Sequence, residues 1–345
     1  MWSALAASSR DDVTPEQVRE GVRHLEEVRA ALERMWPVLT PAELLHDLFG
    51  STGLLRLAAD GVLPEDEWTA LHRERSTDVR EVRWSPADVA LLDEAREVLG
   101  PRISRTGKVD ETHEIRTYGH IVIDEVQDLT PMQLRMATRR SLNGSMTIVG
   151  DLAQATGPLA PSSWDEVLAH LPDKRESRVV GLSIGYRIPE PIMELATKVM
   201  MAATPDLRAP TSVRGGGEPP EIRRVDGDDG LGSAAAAAVV ELRDALGEGS
   251  VAVVVPDELV ESIADALTGA GIDHGRATRG GLVNDVTVVP VSVVKGLELD
   301  GVVVVEPSRI VDAEAQGLRA LYVALTRATK RLIVLHRDDL PDPIA

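Results

Sequence analysis

The sequence predicts an α/β protein, with parallel sheets flanked by helices and a helical region in front of them. Three observations carry this. From about residue 115, short runs rich in Val and Ile alternate with helical stretches, the pattern of parallel strands joined by crossover helices. Ile121, Val122 and Ile123 run straight into Asp124 and Glu125, as a buried strand does when it delivers carboxylates to the carboxyl edge of a sheet. Residues 1 to about 110 carry apolar residues at helical spacing instead.

Thr14-Pro15-Glu16-Gln17 opens the first helix, with Thr as N-cap, Pro at the first helical position and Gln at the capping-box position. Val18, Val22, Leu25, Val28 and Leu32 form its apolar stripe. Thr40-Pro41-Ala42-Glu43 repeats the signal before Leu44, Leu45 and Leu48, and Ser85-Pro86-Ala87-Asp88 does so before Val89, Leu91, Leu92 and Val98. These stripes read as core or inter-helix packing. Strands are then expected at 121–123, 146–149, 179–184, 221–225, 251–255, 286–291, 302–305 and 332–335. Helices are expected at 131–142, 189–203, 233–246, 259–267 and 317–328, and 204–218 is turn-rich loop.

The chain has 345 residues, enough for two or three domains, and 43% of them are hydrophobic. No apolar run reaches transmembrane length, and no secretory signal pattern is present, so no membrane role is expected. The absence of cysteine excludes disulfides and thiolate metal sites and fits a cytoplasmic protein. The eight histidines show no metal-binding spacing, and His120 reads as structural. A formal charge of −19, no strong basic cluster and scarce aromatics count against a strong nucleic-acid binder.

Five segments carry chemistry in order. They are Asp124-Glu125-Val126-Gln127-Asp128, Gly150-Asp151-Leu152-Ala153-Gln154, Gly185-Tyr186-Arg187, Val294-Lys295-Gly296-Leu297-Glu298-Leu299-Asp300, and Leu321-Tyr322-Val323-Ala324-Leu325-Thr326-Arg327-Ala328. Their order and spacing resemble the superfamily-one helicases of the UvrD/Rep type. Gly185 stands where Asn is common in the fourth motif, and Leu299 where an aromatic is usual in the fifth. The resemblance implies RecA-like motor domains with ATP in the cleft between them. It divides the chain into a helical subdomain or insertion (1–110), the C-terminal part of a first RecA-like domain (111–175) and a second RecA-like domain (176–345).

The same resemblance implies roles. Asp124 would hold Mg²⁺, and Glu125 would meet the metal through the water that it polarises. Gln154 would sense the γ-phosphate with a side chain that both donates and accepts. Arg187 and Arg327 would stabilise transition-state charge as arginine fingers. Tyr186 would stack on adenine and Glu298 would accept hydrogen bonds from the ribose. Gln127 and Asp128 read as coupling or cap residues, Tyr322 as packing, and Ser292 and Lys295 lie near where relatives contact substrate strands. Such an ATPase also needs a G-x-x-x-x-G-K-[ST] loop. The only Gly-Lys pair, Gly107-Lys108, is followed by Val109 and lacks the earlier glycine. The chain therefore reads as the C-terminal part of a longer motor, whose N-terminal P-loop half is a required partner and without which it hydrolyses ATP negligibly.

UvrD-type helicases follow the third motif with aromatics that stack on the single strand. Here Ala155-Thr156-Gly157-Pro158-Leu159-Ala160 follows instead, and the next aromatic is Trp164. This stretch, with residues 118–133 and Trp84-Ser85-Pro86-Ala87-Asp88-Val89-Ala90-Leu91-Leu92, resembles the HelD family, helicase-like ATPases that bind bacterial RNA polymerase and help release it from nucleic acid. The expected partner is accordingly RNA polymerase, with DNA, as the substrate of a UvrD-type 3′-to-5′ helicase, as the alternative.

Overall fold

The computed structural model describes residues 16, 25–35, 39–101, 115–172, 176–227, 230–277 and 284–345. The Thr14-Pro15 helix start, Val18, Val22 and the Gly107-Lys108-Val109 stretch lie outside the described residues. The chain forms two compact units, Met1–Arg116 and Thr117–Ala345.

The first unit is helical: α1 (Glu26–Met35), α2 (Pro41–Phe49), α3 (Thr52–Ala59), α4 (Glu65–Ala70) and α5 (Pro86–Leu99). Both expected capping boxes form, Thr40 with Glu43 and Ser85 with Asp88. Leu45, Phe49, Leu55 and Ala95 make a small core with Trp68 and Trp84 against it. Asp88 also receives a bidentate pair from Arg73 at 2.7 and 3.0 Å, and the Arg73 guanidinium lies 4.6 Å from the centre of the Phe49 ring. The expected stripes need correction. Leu25, Leu32, Val89 and Val98 are exposed. In α5, Leu91 and Leu92 pack against this core as expected, whereas the fully buried positions are Asp88, Ala90, Asp93 and Ala95, so the Asp88–Arg73 pair and small residues take the place expected for Val89 and Val98.

The second unit opens with β1 (Ile121–Ile123), α6 (Pro131–Arg139) and β2 (Met146–Ile148), a parallel pair joined by a crossover helix. His120 bridges the pair by hydrogen bonds to Ser145 and Thr147, the structural role expected of it. The chain continues through α7 (Trp164–Leu168), β3 (Ile184–Gly185), α8 (Glu190–Ala203) and β4 (Thr211–Ser212). The strand expected over 179–184 reduces to Ile184–Gly185, paired with β4; the Ser183 carbonyl still accepts the Thr211 N–H at 2.8 Å, and Val179–Leu182 form no ladder among the described residues.

The remaining elements are β5 (Glu221–Arg224), α9 (Gly230–Leu246), β6 (Val251–Val255), α10 (Val260–Gly269), β7 (Gly275–Arg276), β8 (Val286–Pro290), β9 (Leu299–Val305), α11 (Pro307–Ala313), α12 (Gly317–Leu325) and β10 (Ala328–His336). They build a six-stranded, all-parallel sheet in the order β5-β10-β9-β6-β8-β7. Alternate residues of the central strands serve opposite faces. Ala252, Val254, Val302 and Val304 pack with Ile192 of α8 and Leu321 of α12. Val251, Val253, Val303 and Val305 pack with Val239 of α9 and Ile263 of α10. Helices therefore cover both faces, which is why these strands read as continuous apolar runs. Register places Leu299 opposite Ala328, so that Glu298 and Arg327 stand side by side at the amino edge of the sheet. Among the described residues, no helix is long and apolar enough to cross a membrane.

Candidate functional site

The acidic loop is built outward from β1. Glu125 adopts a left-handed backbone, φ 51°, uncommon for a residue with a side chain, and its N–H donates to Asp124 Oδ1 at 2.8 Å. The chain then returns to the sheet, with the Val126 N–H bonded to the Val149 carbonyl at 3.1 Å. Gln127 is 2% exposed and works in both directions. Its amide nitrogen donates to Glu125, and its oxygen accepts the Asp151 N–H at 3.0 Å. Gly150 is required for this approach, since a Cβ there would lie 2.4 Å from the Gln127 oxygen and 2.7 Å from Val126 Cγ1. Asp151 in turn accepts the Ala153 N–H at 2.9 Å and the Gln154 side-chain amide at 2.8 Å. One chain of hydrogen bonds thus links Glu125 to Gln154 through Gln127 and Asp151.

The amino edge of the six-stranded sheet faces this chain. Arg327, 3% exposed, donates from Nη2 to Gln154 Oε1 at 3.0 Å, from Nε to the Val323 carbonyl at 3.0 Å and from Nη1 to the Leu297 carbonyl at 3.3 Å. Lys295 Nζ reaches Asp128 at 2.6 Å and the Gln154 carbonyl at 2.8 Å, and lies 3.9 Å from Glu125. Arg187 and Glu298 form an ion pair. Arg214 fixes the backbone around Arg187 by donating to the carbonyls of Arg187 and Thr329 at 2.7 and 2.8 Å. Tyr186 is 81% exposed beside them, and Tyr322 is buried in the core.

Burial pushes the Arg327 guanidinium below its ordinary value, and the neighbouring Arg187 charge pushes the same way. Burial likewise raises the Tyr322 phenol, with Asp151 contributing, so this tyrosine stays neutral. Among the described residues no three carboxylates or imidazoles are arranged to hold a metal ion. Exposed Asp124, with Glu125 next to it, suits a cation such as Mg²⁺, which takes one or two carboxylates and fills its remaining positions with water and phosphate oxygens.

The structure therefore brings Glu125, Gln154 and Arg327 into one hydrogen-bonded network and sets the Arg187–Glu298 pair beside Arg327 at the same sheet edge. Gln127 joins Glu125 to Asp151, and Asp128 pairs with Lys295. Sequence reading missed the Lys295–Asp128 bridge and the Arg214 brace. Lys295 lies inside the segment Val294–Asp300 and was visible as a candidate, whereas nothing local marks Arg214.

Comparison with known proteins gives four findings. No curated protein matches the chain. The C-terminal domain of a possible DNA helicase from Lactobacillus plantarum WCFS1 is similar at 19% identity, covering 47% of this chain and 92% of that one with a TM-score of 0.37. The Arterivirus nonstructural protein 10 helicase, solved with DNA, is similar at 16% identity, covering 65% of this chain and 41% of that one with a TM-score of 0.35. Residues 285–335, the stretch from β8 to β10 that carries Lys295, Glu298 and Arg327, match the family described as the UvrD-like helicase C-terminal domain.

Proposed function

We propose that this chain is the ATP-binding and ATP-hydrolysing motor portion of a HelD-like protein that acts on bacterial RNA polymerase. In this reading it works with an N-terminal half of the same protein that supplies the P-loop. The observation that carries the reading is the Arg327–Gln154 hydrogen bond, which joins the segments Gly150–Gln154 and Leu321–Ala328 across 173 positions of sequence at 3.0 Å. A glutamine that answers to an arginine on a second sheet suits a γ-phosphate that both must reach.

Each residue then has a task that its surroundings allow. Asp124 holds the cation, and Mg²⁺ when bound neutralises charge on the β- and γ-phosphate oxygens. Glu125, set by Gln127 and left exposed, orients and polarises the attacking water. Gln154 holds that water or the γ-phosphate. Arg187 and Arg327 place two positive charges against the transferred group. Glu298 accepts the ribose hydroxyls, and exposed Tyr186 offers a ring face to adenine. Nucleotide entry exchanges protein contacts for ligand contacts, since Arg187 now pairs with Glu298 and Arg327 with Gln154.

The choice of RNA polymerase is supported by the loop after Gln154. It holds no aromatic, and Trp164 beyond it packs into the core with Val126, Leu134, Leu152 and Val167 rather than standing free for a base. The second reading, a UvrD-type 3′-to-5′ DNA helicase, is favoured by the family match over residues 285–335. The deciding experiment is the ATPase rate of the full-length protein with single-stranded DNA and with core RNA polymerase added separately. Binding or stimulation by polymerase with no response to DNA is the expected result; strong stimulation by DNA would establish the helicase reading instead.

A further inference from the structure

The loop that follows Gln154 has buried feet and an exposed crown. Ala155 and Pro161 are buried, whereas Gly157, Pro158 and Leu159 face solvent. Both feet accept hydrogen bonds from a single atom, Nη1 of Arg319, at 3.4 Å each. Arg319 lies in α12 and is 9% exposed, and no carboxylate pairs with it among the described residues. Burial pushes its guanidinium below the ordinary value. Burying a cation against two long carbonyl bonds without a counter-charge is unfavourable. A leucine would fill the same space more cheaply, so stability alone does not account for an arginine here.

Its position on the helix does. Arg327 follows it by eight residues, immediately beyond the end of α12, and holds the Gln154 side chain. One helix therefore grips the segment 154–161 at Gln154, at Ala155 and at Pro161. If nucleotide draws Arg327 away from Gln154, the Arg319 bonds are the side-chain hydrogen bonds that remain between α12 and the loop among the described residues. A guanidinium, with donors fixed in one plane, can hold two carbonyls in a constant relation as the helix shifts.

We propose that Arg319 is a positioning residue that makes the crown 157–159 follow α12, so that the loop presents the state of the nucleotide site to the protein partner. This rests on the reading of the site as one for ATP. It gives the loop a use that does not depend on stacking aromatics.

The test is hydrogen–deuterium exchange of the peptide spanning 155–161 in the full-length protein, with and without Mg²⁺ and a non-hydrolysable ATP analogue. In the native protein the exchange rate of this peptide should change by about twofold or more on binding. Arg319→Gln should bind the analogue within about threefold of native, keep its basal ATPase, and lose both the loop response and the increment of ATPase produced by core RNA polymerase. Arg319→Lys, which keeps the charge without the planar fork, should restore part of the response. A full loop response in Arg319→Gln would make the residue mere packing and overturn the proposal. Should Arg319→Gln not fold, Arg319→Lys decides: a response reduced by half or more supports the proposal, and an undiminished one overturns it. A native protein that binds the analogue without any loop response overturns the proposal alone. One that binds no analogue overturns the ATP reading and the proposal with it.

Discussion

At Gly150, one missing carbon decides whether the two halves of the acidic network meet. A methyl group there would strike the Gln127 oxygen and Val126 Cγ1, and both residues are buried and cannot step aside. Gly150→Ala should therefore cost about 1–3 kcal/mol in urea unfolding, the range for overpacking a dense site, and a change near zero would show that Gln127 is not held as described. Arg327→Ala removes a side chain that binds Gln154 and two backbone carbonyls. In the full-length protein it should lower the ATPase rate by roughly 10³–10⁵, the range for arginine fingers; a loss under about tenfold would end that assignment. Asp88 is a buried charge on which the helical unit depends. The hydrogen bonds from Arg73 hold its carboxyl at about 2, below the ordinary 3.8. A carboxylate depressed in this way stabilises the fold fully above about pH 4 and loses that contribution as pH falls toward about 2. The shift corresponds to about 2 kcal/mol. Urea unfolding followed by tryptophan emission, with Trp68 and Trp84 packed on this core, should show that loss in the native chain. Asp88→Asn should remove most of the dependence.

Among the elements, α12 is buried along most of its length and leads directly into Arg327. Leu321 is fully buried between this helix and the sheet. Leu321→Ala should destabilise the chain by about 2–5 kcal/mol, as buried leucine truncations do, and a urea midpoint that barely moves would mean that the helix is less tightly packed than it is drawn. This helix was legible in the sequence because its apolar spacing is continuous from Leu318 to Leu325. So were β6 and α8, long runs of one period. The strand after α12 was legible only in part. Its apolar stretch, 332–335, was expected, but the strand runs from Ala328 to His336. Thr329, Lys330 and Arg331 interrupt the apolar run, yet β9 extends the ladder back to Leu299 opposite Ala328. The reverse error occurred at 179–184, where Val and Ile suggest a strand that finds no partner over most of its length. Period reports which face a residue prefers and not whether a neighbouring strand is present. The same limit applies to the site. Asp124, Glu125, Gln154 and Arg327 announce themselves through short segments, while Lys295 and Asp128 meet across 167 positions, a pairing no local pattern contains. The left-handed turn at Glu125 is likewise set by its neighbours rather than by its residue type.

Over the whole molecule, charge separates the two functional readings. The chain carries a formal −19, and acids gather where an α/β sheet usually meets its ligand. Asp257 and Glu258 follow β6 at the carboxyl edge of the six-stranded sheet, with Ser292 hydrogen-bonded to Asp257. Nearby Glu314 has its carboxyl pushed up by burial and, secondarily, by the Asp257 charge. Arg309 offsets part of it but is itself engaged by Asp338 and Glu258. A groove for a phosphate backbone needs cations free to displace condensed counterions, and affinity then falls steeply with salt. The expected outcome is weak binding of single-stranded DNA by this chain in fluorescence anisotropy at physiological salt, with a log–log salt slope well short of what several phosphate contacts give. A steep slope with tight binding would reveal a basic track and would favour the DNA helicase reading. A shallow slope would count against DNA as a substrate and would favour the polymerase reading.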